Sequence, residues 1–137
     1  MSDFSVRTVT YGVGSHSWLG SKHGVDEGIG CTLDLDEFTL ATHYPNGFIP
    51  AGTVLAIVTS SGLYAPYDDG NVPAGVGTAA GHLLNNVYID SDSSATNLAA
   101  SFLNHCRVVE ANLPDFAGGA GEIDANGKAD LPLVTYV

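Results

Sequence analysis

The apolar residues of this chain come in short runs broken by turn residues. From Phe48 the sequence reads Phe-Ile-Pro-Ala-Gly-Thr-Val-Leu-Ala-Ile-Val, so residues 54–58 are an uninterrupted apolar run opened by Pro50 and Gly52. Such a run between turns predicts a buried strand. Gly62 turns the chain into Leu63-Tyr64-Ala65, a second strand that Pro66 and Asp68-Asp69-Gly70 end. Thr32-Leu33-Asp34-Leu35-Asp36 alternates as a half-exposed strand does, and Asn46-Gly47 supplies a turn before Phe48. Residues 71–80 read as a loop rich in Gly, Ala and Val. Residues 83–89 read as strand, with helix the alternative, and 90–97 as a polar loop. Within 98–113, Leu98, Phe102 and Leu103 fit a helix, whereas the β-branched Val108 and Val109 favour strand. Residues 122–129 have the pattern of one short helix, weakened by Asn126-Gly127, and 133–137 that of a closing strand.

The first thirty residues differ from the rest. They hold Gly12, Gly14, Gly20, Gly24, Gly28 and Gly30, too many for a stable helix. Phe4 and Val6 alternate with polar residues, and Val9, Tyr11 and Val13 do so in the opposite parity, as strands with a bulge or two separate pairings would. A lone strand is not stable by itself. Residues 1–30 therefore read as an extended arm that pairs with an edge of its own body or of a partner, ahead of a compact body over 31–137. Trp18, the only tryptophan, has two readings on such an arm: an anchor that docks in a partner's pocket, or a side chain packed on its own domain.

Composition narrows the class. The chain has 137 residues, 45% hydrophobic and 14% charged, enough for one core without metal or disulfides. Seventeen glycines exceed the usual share of about 7% and favour turns over long helices. No apolar run approaches the roughly 20 residues that span a bilayer, and the first residues lack the pattern of a secretion signal, which leads us to expect synthesis in a cytoplasm. Cys31 and Cys106 then read as two reduced thiols. The net charge of −11 rests on fifteen acids against Arg7, Lys22, Arg107 and Lys128, no two of them neighbours. Nucleic-acid affinity needs clustered cations, so direct nucleic-acid binding is not expected.

Candidate chemistry is sparse. His16 and His23 are seven residues apart, wider than the local pairs that usually preset zinc ligands, and His43, His82 and His105 are isolated, so no metal site is expected. Asp90-Ser-Asp92-Ser-Ser94 imitates the start of a calcium loop but continues with Ala95 and reaches Ser101 where a bidentate Glu belongs. Gly75-Val-Gly77-Thr-Ala-Ala-Gly81 is one residue too long for a dinucleotide loop. Ser15-His16-Ser17 is an adjacency without an orienting scaffold, and no Gly-x-Ser-x-Gly elbow occurs. The acids Asp34, Asp36 and Glu37 and the pair Asp68 and Asp69 suit a solvated β-surface better than a catalytic dyad. No catalytic residue, cofactor or metal is expected.

The order of several short segments resembles the head decoration proteins of tailed bacteriophages, in the versions carried by actinobacterial phages. The segments are Ile-Pro-x-Gly before the 54–58 run, Gly62-x-Tyr64-x-Pro66-Tyr67-Asp68, Ala80-Gly81-His82-Leu83-Leu84, and Ser17-Trp18-Leu19-Gly20-Ser21-Lys22-His23-Gly24. Asn104-His105-Cys106-Arg107 through Leu113-Pro114 and the ending from Ile123-Asp124 to Tyr136-Val137 complete the set. The resemblance runs from about Trp18 to the C-terminus and favours strand with a turn at His105-Cys106 for 98–113. It implies a mainly β fold: a small β-rich α+β body, β-tulip- or barrel-like, with an extended Gly-rich N-terminal arm and room for one short C-terminal helix. It also implies a structural virion protein, not an enzyme, on the outside of an expanded capsid. There it would clamp the major capsid protein as homotrimers at local three-fold positions. The arm residues Phe4, Val6, Val9, Tyr11, Val13, Trp18 and Leu19 would make the capsid contact. A carbohydrate- or surface-binding β module, stacking sugars on Trp18, Tyr44, Tyr64 and Tyr67, is the competing expectation.

Overall fold

The structure, a computed structural model, describes residues 16–90 and 94–137. Nine strands follow in chain order: β1 (Ile29–Asp34), β2 (Phe48–Ile49), β3 (Val54–Ile57), β4 (Tyr64–Pro66), β5 (Ala79–Leu83), β6 (Val87–Tyr88), β7 (Asn97–Leu103), β8 (Arg107–Val108) and β9 (Thr135–Tyr136). Five of them close a barrel in the order β1-β4-β3-β5-β7, while β2–β6 and β8–β9 form separate two-stranded ribbons. The fold is mainly β, as expected, with two short helices, α1 (Leu40–His43) and α2 (Ala125–Asp130).

Alternation along the barrel strands builds two cores. Leu33 of β1, Leu55 of β3, Leu83 of β5 and Phe102 of β7 meet inside the barrel with Phe38 and Ile49. Their neighbours Val54, Ala56 and Leu103 face the other way, into a second core that also takes Ala79, beyond a register shift between β3 and β5, and is roofed by Trp18, Val108, Leu131 and Val134. β3 is thus buried on both faces, and this accounts for its unbroken apolar sequence. Each fully buried aliphatic side chain in these layers contributes roughly 1.5–3 kcal/mol relative to exposure.

Local choices follow from hydrogen bonds. Residues 83–89 do not form one strand: Leu84 donates to Ser101 O at 2.9 Å, and Asn86 Oδ1 accepts the Ala51 N–H at 2.7 Å. β5 therefore ends before β6 begins. α2 forms despite Asn126-Gly127 because Asp124 caps it, accepting the Gly127 N–H at 2.7 Å. A Cβ on Gly127 would stand 2.8 Å from Ile123 Cδ1 and 3.3 Å from Tyr67 Cε1, so a larger residue here requires the end of the Ile123 side chain to move. α1 is only four residues long, too short to show a helical period, and was not expected.

The division at residue 30 is corrected in part. β1 begins at Ile29, so that boundary cuts a strand that pairs over its whole length with β7, from Ile29 opposite Phe102 to Asp34 opposite Asn97. Residues 16–28 also lie against the body, as their hydrogen bonds to β8 and its neighbours show. Phe4, Val6, Val9, Tyr11 and Val13 lie outside the described residues.

Candidate functional site

Trp18 and Leu19 are not free to serve as a capsid anchor. Trp18 is 1% exposed, its ring 5.7 Å from that of His82, and Leu19 packs on the same core. The Val109 N–H donates to Trp18 O at 2.7 Å, the Gly20 N–H to Arg107 O at 2.8 Å, and Asn112 Nδ2 to Ser17 O at 2.9 Å. These bonds and the Leu19–Val108 bridge seat the segment beside β8. The large apolar ring takes the second reading offered for it: it roofs its own domain. Its indole Nε1 is buried without a partner.

Two histidines are interior hydrogen-bonding groups. His82 is 0% exposed; Nδ1 donates to Gly52 O at 2.9 Å and Nε2 accepts from the Tyr136 hydroxyl at 2.7 Å. Burial disfavours the imidazolium and pushes its pKa from 6.5 down to about 4, only partly opposed by the Gly52 carbonyl. Burial also raises the pKa of the Tyr136 hydroxyl. His43 accepts the Thr39 N–H at 3.0 Å on Nδ1 and donates from Nε2 to Ala120 O at 2.9 Å, and burial lowers its pKa too. Neither ring has a free lone pair, so neither is placed to act as a base.

The acids have structural duties. Asp34 accepts the Asp36 N–H, Asp68 that of Gly70, and Asp130 that of Ala79. Asp124 accepts the Tyr67 hydroxyl at 2.8 Å, and Asp69 accepts from Asn126. The glycine loop is likewise satisfied from within: Asn71 Oδ1 accepts both the Gly75 and the Gly77 N–H, at 2.9 and 3.0 Å. A phosphate would have to displace that side chain. Of the rings considered for sugar stacking, Trp18 and Tyr67 are buried, while Tyr44 and Tyr64 are partly buried against the barrel core. The calcium-like stretch includes residues 91–93, outside the described ones. Burial raises the pKa of both thiols, Cys31 and Cys106, to about 11, so neither is an activated nucleophile.

Three surface features remain. The first is the outer edge of β1. Its strand pairing with β4 is confined to the parallel pair Leu33–Tyr64, and among the described residues 29–31 pair with no strand on that side. In an antiparallel pair alternate N–H and C=O groups point away from the partner, so this edge offers backbone hydrogen bonds beside Ile29, which is 40% exposed. The second is a groove of about 430 Å³ between residues 16–25 and Leu84–Asn85, where His16 Nε2 reaches Leu84 O at 3.0 Å. The third brings together residues remote in sequence: His23 Nε2 lies 2.9 Å from His105 Nε2, and Glu27 Oε2 lies 3.8 Å from His105 Nδ1. Spacing along the chain could not reveal that pair, since its members are 82 positions apart. Among the described residues no group of three or more His, Cys, Asp or Glu side chains is placed to hold a metal ion.

No protein-family model, curated protein or solved structure matches the chain.

Proposed function

We propose that this chain is a structural, non-enzymatic virion protein that binds the outside of an expanded phage capsid and stabilises it by clamping the major capsid protein. The open first half of the β1 edge carries this reading. An edge that no described strand pairs with, beside an exposed Ile29, is suited to accept an extended segment of another protein, backbone bonds supplying affinity and side chains register. The net charge of −11 disfavours contact with packaged DNA and so supports an outer position. The non-enzymatic reading is supported by the internal hydrogen bonds of His43 and His82, which use both nitrogens of each ring, and by those of the Asp side chains described above. Homotrimers at local three-fold positions are part of the proposal and rest on the family resemblance.

Co-sedimentation with expanded, undecorated heads tests it. The full chain is expected to pellet with the heads and to raise their resistance to heat. A second arm uses a chain lacking residues 1–15, which keeps Trp18 in place and asks whether Phe4, Val6, Val9, Tyr11 and Val13 add to attachment. Failure of the full chain to bind any expanded head of its parent phage would overturn the proposal.

A further inference from the structure

We propose that His23 and His105 form a two-imidazole site for a borderline divalent transition-metal ion, Cu²⁺ or Ni²⁺ ahead of Zn²⁺, that ties the loop 20–27 to the turn 104–106. The pairing is built into the backbone. Gly24 has φ +74, and a Cβ there would collide with the His105 carbonyl, so only glycine lets this loop close on the turn. The Gly20 N–H bond to Arg107 O holds the same loop from its other end.

The spacing of the nitrogens fits a shared ion. Two imidazole nitrogens about 2.0–2.1 Å from one metal stand about 2.9 Å apart at a right angle and about 3.3 Å apart at the tetrahedral angle. The 2.9 Å between the two Nε2 atoms is the right-angle value, the geometry of tetragonal Cu²⁺ and Ni²⁺. Zinc would require the rings to part by a few tenths of an ångström. Without metal, the pair can share one N–H···N bond. The ring centroids, however, are 4.6 Å apart at 80°, closer than an end-to-end alignment allows, so that bond is bent and correspondingly weak. An ion beside the line joining the nitrogens uses both lone pairs instead.

The second shell agrees. Glu27 Oε2, 3.8 Å from the outer nitrogen of His105, is within reach of a bridging water to a proton on Nδ1, the tautomer that leaves Nε2 as the ligand atom. His23 is exposed and His105 half-exposed, so water can complete the coordination, and the strongly negative chain attracts cations. With two protein ligands the ion remains exchangeable, and protons on the imidazoles compete with it.

Calorimetric titration of the full chain with Ni²⁺ is expected to give one ion per chain and a thermal midpoint higher by several degrees. His23→Gln and His105→Gln should each weaken binding at least tenfold, Glu27→Gln by up to tenfold, and His16→Gln not at all. Cu²⁺ electron paramagnetic resonance should report two coordinated imidazole nitrogens in the wild type and one in His23→Gln. Because His23 is exposed, that variant decides the matter even if His105→Gln fails to fold. Equal binding by the wild type and His23→Gln, loss of binding in His16→Gln, or a single nitrogen in the wild-type spectrum would each overturn the proposal.

Discussion

β3 and β1 belong to one barrel and have opposite surroundings. β3 has β4 on one side and β5 on the other, and only Ile57 of its four residues is exposed. β1 is paired along β7, meets β4 at one residue pair, and buries only Leu33. Their sequences carry the difference. Val54 and Ala56 look into one core and Leu55 into the other, so all three can be apolar, while Ile57 at the end of the strand is exposed. Ile-Gly-Cys-Thr-Leu-Asp spends its buried position once and leaves the rest to solvent. A strand enclosed on both faces and both edges can only support the fold. A strand with a free edge is where this barrel can still form backbone hydrogen bonds with something else.

Removing the enclosed side chain tests the first half of that contrast and should have the largest effect. Leu55 is fully buried inside the barrel, where Leu33, Leu83 and Phe102 also meet. Leu55→Ala is expected to cost 2–5 kcal/mol, through lost transfer energy and a cavity that rigid strands cannot close. Urea denaturation measures it directly. A loss below about 1 kcal/mol would mean that the barrel interior repacks freely and that β3 is not its rigid centre.

Acid sharpens the contrast next, because the outer core faced by β3 contains His82. The His82 ring titrates near 4 in the folded chain and at 6.5 when exposed. Well above pH 6.5 the imidazole is neutral in both states and its titration adds no pH dependence to stability. As pH falls from 6.5 toward 4, the unfolded chain takes up a proton that the folded chain refuses, so stability is lost across that window. At 1.36 kcal/mol per pH unit the loss approaches about 3 kcal/mol, and His43, shifted the same way, adds to it. Thermal melts from pH 7 to pH 4 should show the decline. His82→Gln, less stable at pH 7, should show a flatter one; an unchanged slope would place the acid sensitivity elsewhere.

The enclosed half of the molecule was the more legible in sequence. The 54–58 run, the strand before Pro66 and the closing strand all announce themselves by apolar content and turn residues, and they fall where β3, β4 and β9 lie. The exposed half was less so. Ile29-Gly30 looks like part of a glycine-rich tether, and becomes strand only because β7 is there to pair with it. Ala79-Ala80-Gly81 has no strand propensity, and pairs because β3 passes alongside. Trp18 has two readings in sequence, anchor or packed ring, because its neighbours are small and polar; the core it fills is assembled from residues 51–134 and is invisible locally. The approach of His23 to His105 is likewise a product of tertiary structure, with Gly24 the single local hint.

The smallest effect on stability is expected at the open edge, and it bears most on function. Ile29 is 40% exposed and contributes to neither buried cluster, so Ile29→Lys should change stability by no more than about 0.5 kcal/mol. Its consequence for strand addition is different. A lysine on an edge strand adds charge and a long, strongly hydrated side chain where an incoming segment must lie, one of the devices by which edges are kept from pairing. If residues 29–31 accept a capsid segment, Ile29→Lys should lower co-sedimentation with expanded heads at least tenfold while the urea midpoint stays near that of the wild type. Ile57→Lys, at an exposed position on the doubly paired β3, is the control and should bind heads as the wild type does. Should Ile29→Lys bind equally well, the β1 edge is not the capsid contact. Should both variants bind poorly, added charge rather than strand pairing is what the capsid surface rejects.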